Sequence, residues 1–335
     1  MVLMVVLVFA LLLVGSVATL SRQAVLDDAI ARNRENRERA DGLARGGIEI
    51  AKALILVDKA SNQEGSGMET ADDLWAKVVE QEIETPDGAS LRLRIEDTSA
   101  RLNLNTVARG SEGDDLVEPE GQALLEALFE KVIDEMPIPP GEKVYDVSEL
   151  TTHFIDFVDA DTESLDGGDE SRAYQYRSGN QPGPANRPLL SLDELRAIPG
   201  FDAKLVEALK PYVTVHPFGA EMGINPNTAP PHVLALIFFD DGVQRNLADE
   251  HTVREILKVR QEGGFLCGDS QSDEACTPMS EIVPNSAGIF PPLSFESNFF
   301  VVVSEAQVGD IRRRVEAVLD RSAAPAVTLL SWEVL

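Results

Sequence analysis

The chain opens with MVLMVVLVFALLLVGSVATL, residues 1–20, and runs on without a proline through SRQAVLDDAIARNRENRERADGLARGGIEIAKALILVD, residues 21–58. None of the first twenty residues is charged. At 1.5 Å rise per residue, about 20 of them reach roughly 30 Å, the thickness of a bilayer's hydrocarbon core. A cleaved secretory signal is the competing reading, with Ser16-Val17-Ala18 as a small-x-small site. It needs a basic stretch first and a shorter apolar core of roughly 7–15 residues, and neither is present. Helical periodicity continues past the apolar run, with Leu43, Gly47, Ile50, Leu54 and Asp58 at helical spacing. Arg32 to Asp41 is charged all round and belongs in water, whereas Ile48 to Val57 is apolar enough to bury. The stretch predicts one helix of about 55–58 residues, membrane-embedded at its start and packed against a domain at its end.

The rest of the chain is long enough for two domains. Its net charge of −28 and pI near 4.4 repel phosphate backbones and anionic lipid, and favour cations or basic partners. The two cysteines, Cys267 and Cys276, enclose the polar loop GDSQSDEA. Paired, they would staple that loop in an oxidising compartment; in a cytosolic protein they would be incidental thiols. The disulfide is the expectation, and it puts the bulk of the chain outside the inner membrane with the amino terminus on the cytoplasmic side.

After the polar linker SNQEGSGMETADD, Leu91, Leu93 and Ile95 alternate with Arg92, Arg94 and Glu96, the pattern of a half-buried strand. Segments from about 107 to 290 have helical periodicity, among them GQALLEALFEKVIDEM, VSELTTHFIDFVDAD, SLDELRAI, DAKLVEALKPYV, PPHVLALIFF and DEHTVREILKVRQEGG. Ser191 with Glu194 three residues on has the form of a capping box. Strands return in SNFFVVVSEAQV, DIRRRVEAVLDR and AVTLLSWEVL, with a hairpin turn at Gln307-Val308-Gly309-Asp310. A lone strand is not stable, so the early strand is expected to pair with the late ones around an inserted helical block. A weak repeat, RLNLNTV at 101–107 and GINPNTA at 223–229, divides that block; its Asn103, Asn105, Asn225 and Asn227 suit turns and caps.

These features together resemble the K-type minor pseudopilin family of bacterial type II secretion systems. The matching stretches are MVLMVVLVFALLL, FIDFVDAD with GGDESRAY, NRPLLSLDELRAIPGF, LKPYVTV, INPNTAPP and SNFFVV, in that order along essentially the whole chain. The resemblance implies an α+β class, a type IV pilin-like fold in which a long N-terminal helix packs on an antiparallel sheet. A large all-α domain with helix-hairpin-helix/SAM-like modules is inserted into it. The expected division is a membrane span at 1–20, the rest of the helix at 21–58, pilin-like parts at 59–106 and 291–335, and the insertion at 107–290. Its halves are about 107–217 and 218–290. The implied role is to cap the tip of a short periplasmic pseudopilus together with the I and J minor pseudopilins, without enzymatic activity. A leader would already have been removed by prepilin peptidase, leaving Met1 as the methylated mature terminus. Most pseudopilins carry glutamate at the fifth mature position, thought to pair with the terminal amine of the next subunit toward the tip. Val5 stands there, as suits a subunit with nothing above it, since an unpaired carboxylate in a bilayer is costly. Ile30, Leu43 and Ile50 are the expected anchors for partner helices.

DADTESLDGGDE, residues 159–170, is the densest run of carboxylates. It has acids at positions 1, 3, 5 and 12 of an EF-hand loop, but Ser164 stands where that motif needs glycine. A calcium site of another geometry is expected, from Asp159, Asp161, Glu163, Asp169 and Glu170, since the resembled family binds calcium in this region. A merely solvated acidic loop is the alternative.

LRAIPGFDAKLVEALKPYV also resembles a helix-hairpin-helix that grips DNA backbones, so a membrane-anchored DNA receptor is the rival function. Against it, Pro199-Gly200-Phe201-Asp202 has an acid where phosphate would approach, and the charge is wrong for counterion release. No nucleic-acid partner is expected. An anchored enzyme has little support, since G-x-S-x-G, H-E-x-x-H and phosphate-loop motifs are missing. His153 and Asp156 read as a surface i,i+3 pair.

Overall fold

The structure, a computed structural model, describes residues 2–62, 67–78, 82–108, 119–137, 144–174, 183–218, 222–240, 242, 244–269 and 276–335. Helix α1, Val2–Asn62, is unbroken over 61 residues. Its apolar start has a mean hydropathy of 2.8 and makes no contact that buries it, as suits a membrane-anchored chain with a single span. The first fully buried residue is Ala40. From there Ala44, Ile48, Ala51 and Ile55 form one side of a core.

That core is closed by a five-stranded antiparallel sheet of strands β1, Glu82–Glu84; β2, Ser90–Asp97; β3, Phe299–Val308; β4, Ile311–Asp320; and β5, Thr328–Val334. Spatial order follows chain order, so β2 pairs with β3 across the whole insertion, with Ile95 opposite Val302. Leu91, Leu93 and Ile95 point at α1, and Arg92 and Arg94 point away, as the alternation predicts. The β3–β4 turn is at Gly309, whose φ of 58° is a left-handed conformation that glycine adopts without a Cβ penalty. Gly47 is required by proximity: a Cβ there would overlap the Ser304 hydroxyl and sit 3.1 Å from Leu91 Cδ1.

The packed face of α1 is rotated from the one read in the sequence. Small residues let the helix lie close to the sheet, so Ala40, Ala44 and Ala51 are core and Ile50 is exposed. Leu43 is partly buried against the helix's own sheet, which withdraws it from the set of partner anchors. Ile30 and Ile50 remain exposed.

A buried ionic clasp fixes the end of α1. The Arg321 guanidinium donates to Ile55 O at 3.0 Å and Ser297 O at 2.8 Å, and pairs with Asp58 at 3.4 Å and with Glu69. Trp75 Nε1 donates to the other Glu69 oxygen at 2.8 Å. This clasp joins α1, the segment before the short helix α2 (Leu74–Lys77), and the distal end of β4.

The inserted block has its own core, which already includes Leu102, Leu104 and Val107 and still takes in Phe290 and Phe295. The chain therefore enters the block a few residues before 107 and leaves it after 290. Helices α3, Pro119–Glu135; α4, Val147–Val158; α5, Ala203–Leu209; and α6, Glu250–Gln261 follow the predicted segments. SLDELRAI forms a 3-10 turn capped by Ser191, whose hydroxyl accepts from Asp193 N. PPHVLALIFF departs from its reading. Only Pro231–Leu234 is helical, and Phe238–Asp240 is a strand paired with Arg245–Leu247.

Both halves of the block are closed in the same way. Asn103 Oδ1 accepts from Asn105 N, and Asn225 Oδ1 accepts from Asn227 N. All four asparagines are buried, so the repeat seen in the sequence is structural. In the helix-hairpin-helix turn, Gly200 has φ 94° and a Cβ there would meet Leu150 Cδ2 at 2.7 Å. Asp202 caps α5 by accepting from Leu205 N, and accepts from the Tyr145 hydroxyl. Its carboxylate is thus engaged within the fold.

Candidate functional site

Helix α4 stops at Val158, with Asp159 as its C-cap. The chain then turns through Ser164–Gly168, where Ser164 N donates to Gly168 O and Gly167 and Gly168 take φ of 85° and 107°. Asp156, on the last turn of α4, accepts from Leu165 N at 2.9 Å and pins the loop. This residue is buried, not the surface partner of His153 that the sequence suggests; His153 Nδ1 lies 3.1 Å from Pro199 O instead.

The turn brings together Asp159, Asp161 and Glu170, each offering an oxygen within 4.8 Å of the others. It does not bring in the other two expected residues. Glu163 is exposed, and its backbone forms a bridge to Asp169. Asp169 is also exposed and accepts from Ser171 N, capping the next turn. Both side chains thus lie outside the cluster.

Asp159 Oδ1 and both carboxylate oxygens of Glu170 are buried without a hydrogen-bond partner. Burial, followed by the charges of Glu170, Asp161 and Asp156, pushes the Asp159 carboxyl up to about 7. Burial, then Asp156 and Asp161, does the same for Glu170, also to about 7. Unsatisfied buried carboxylates are expensive, and a bound cation would relieve that cost. The donors are all oxygens, which suits a hard cation such as calcium.

A further buried oxygen beside the cluster belongs to a residue that sequence reasoning missed. Asn186 has a left-handed φ of 47°, donates from Nδ2 to Asp161 O, and leaves Oδ1 buried and unpartnered. Asparagine's tolerance of that conformation was its only local signal. The other acidic group, Asp58, Glu69 and Asp73, is already met by Arg321 and needs no ion.

In the second half of the block, Cys267 and Cys276 are joined, with Cα atoms 5.9 Å apart, and the strands they end and begin pair in parallel. Val5 is exposed within the apolar part of α1, and Met1 lies outside the described residues.

Residues 100–218 match the family profile described as type II secretion system (T2SS), protein K. The type II secretion system protein K of Aeromonas hydrophila is 28% identical over 76% of this chain and 73% of its own. That of Klebsiella pneumoniae is 24% identical over 95% and 91%. A chain of the crystal structure of the GspK-GspI-GspJ complex from enterotoxigenic Escherichia coli has the same fold. It superposes with a TM-score of 0.65 at 19% identity, covering 91% of this chain and 99% of that one. Residues 100–218 thus carry the type II secretion system protein K profile, and the chain is similar to proteins of that name along most of its length.

Proposed function

We propose that the chain is a minor pseudopilin that caps the tip of the type II secretion pseudopilus and nucleates its assembly with the I and J minor pseudopilins. The observation that carries this reading is where the block sits. Ala40 and the Gly309 turn mark the end of the sheet nearest the membrane span, because Gly309 lies beside Asn36. Asp97 and Phe299, where the block joins, are at the opposite end, level with Asp58 and Arg321. The block therefore crowns the end of the helix farthest from the membrane, and a subunit packing above would meet it. Val5 offers such a subunit no carboxylate. Docking below uses exposed α1, including Ile30 and Ile50.

On this reading the chain is a single-pass inner-membrane protein with a cytoplasmic, methylated Met1 and a periplasmic block, and its role is structural. Calcium is held by Asp159, Asp161, Glu170 and Asn186, where its charge relieves the carboxylates' mutual repulsion and ties the loop to the 186 segment. Gold labelling of an epitope in the block, viewed on isolated pseudopili, tests the cap. Labels at one end only support it; labels spaced along the shaft refute it.

A further inference from the structure

A short strap, Asn186 to Leu189, ties the acidic cluster to the entrance of the block. At one end, Ala185 N and Asn186 N both donate to Phe157 O on the last turn of α4, at 3.1 and 3.0 Å. Asn186 Nδ2 donates to Asp161 O, and its Oδ1 is left buried beside the cluster. At the other end Leu189 is fully buried, and the Asn105 side chain accepts from its N–H and donates to its carbonyl. Asn105 Nδ2 also donates to Val215 O at 2.8 Å, which fastens the strap to a second segment. Between its ends the strap has little freedom. Pro188 has a fixed φ, and Arg187 donates to Pro188 O and pairs with Glu194 at 3.0 Å. The second half of the block holds a natural control. Asn227 grips Leu266 with the same chemistry, but that leucine stands next to the Cys267–Cys276 disulfide and not on the segment that carries Asn186.

We propose that Asn105 is a positioning residue for the calcium site: by fixing Leu189 it sets where Asn186 presents its Oδ1 to the ion. The Asn105 side chain bonds to Leu189 and Val215, and to none of Asp159, Asp161, Glu170 and Asn186 among the described residues. Its effect on the ion therefore passes through the strap. A loose strap has to be ordered when calcium binds, and that lost freedom is subtracted from affinity; Asn105 orders it beforehand. By linkage, calcium in turn tightens the grip on Leu189 by the same factor. This role rests on the calcium reading above and adds that affinity is set partly at the far end of the strap.

The test is calorimetric titration of calcium chloride into the full chain in detergent, at pH 8 and well below the melting temperature of every variant. The Asp159→Asn, Glu170→Gln double variant serves as the blank. Asn105→Ala should weaken binding at least ~5-fold, whereas Asn227→Ala, which removes the same kind of clamp, should leave it within about twofold. Asn186→Ala should also weaken binding, and adding Asn105→Ala to it should cost little more, because the two act through one contact. If Asn105→Ala does not fold, Pro188→Gly, at an exposed position, loosens the same strap and should weaken binding ~2-fold or more. Three results would each overturn the positioning role while leaving the site in place. They are equal losses in Asn105→Ala and Asn227→Ala, unchanged affinity in Asn105→Ala or its stand-in, and losses from Asn105→Ala and Asn186→Ala that multiply in full. A wild-type chain that binds no calcium would remove the site and this role with it.

Discussion

Asn105 and Asn227 grip the backbone of a distant leucine in the same way. Asn105 accepts from Leu189 N at 2.8 Å and donates to Leu189 O at 2.9 Å; Asn227 accepts from Leu266 N at 2.7 Å and donates to Leu266 O at 2.9 Å. Each amide side chain stands in for a missing strand, satisfying two buried backbone groups at once. Replacing either asparagine with alanine leaves those groups unpaired, at about 1–3 kcal/mol each. Asn105→Ala and Asn227→Ala should each lower the denaturation midpoint clearly, whereas an exposed control such as Glu250→Ala should not. Equal midpoints for all three would show that the clamps carry no stability.

Arg321 should be less replaceable than any other basic residue of the sheet. Removing it leaves Asp58 and Glu69 buried without their cation, and breaking such a pair costs about 3–5 kcal/mol. Arg321→Leu should therefore unfold the pilin-like part at markedly lower denaturant. Arg92→Leu breaks only an exposed pair with Glu82, worth about 0–1 kcal/mol, and should stay near wild type.

The proposed calcium site predicts opposite pH responses with and without the ion. The folded pKa values of Asp159 and Glu170, about 7, lie above their ordinary values of 3.8 and 4.5. A raised carboxylate favours the folded state at low pH and loses that contribution as pH rises through 7. In chelator, Asp159→Asn with Glu170→Gln should thus raise the melting temperature at pH 8, by ~2 °C or more, and change little at pH 4. With calcium at a hundred times its Kd, wild type should gain about 2.7 kcal/mol at pH 8. The double variant should gain none, and the wild-type gain should shrink as protons compete below pH 7. A calcium shift of equal size in the double variant would remove these residues from the site.

Much of this architecture is legible in the sequence, and its limits are physical. The period-two pattern of Leu91, Leu93 and Ile95 identifies β2 because its two faces meet different environments. The run PPHVLALIFF reads as helical but is helical only over Pro231–Leu234, because a short apolar stretch suits a buried helix and a buried strand equally. In the acidic loop composition shows that cations are welcome, but the Ser164–Gly168 turn selects Asp159, Asp161 and Glu170 and rejects Glu163 and Asp169. Asn186 joins them through tertiary folding alone. The face of α1 was misjudged because alanine and glycine, weakly hydrophobic by composition, are favoured where a helix lies closest to a sheet.

Cys267 and Cys276 should be bonded in protein made in the periplasm. Thiol titration under denaturing, non-reducing conditions should detect no free sulfhydryl; two per chain would contradict it.

The central claim, that this chain caps a pseudopilus through its helix, is tested most directly by assembly. The full chain should be co-expressed with the I and J minor pseudopilins of the same organism, extracted in detergent and sized by light scattering. A stable one-to-one-to-one complex is predicted, weakened by Ile50→Asp and insensitive to the exposed control Glu250→Ala. An I–J pair that forms without this chain, leaving it alone in the same extract, would contradict the account.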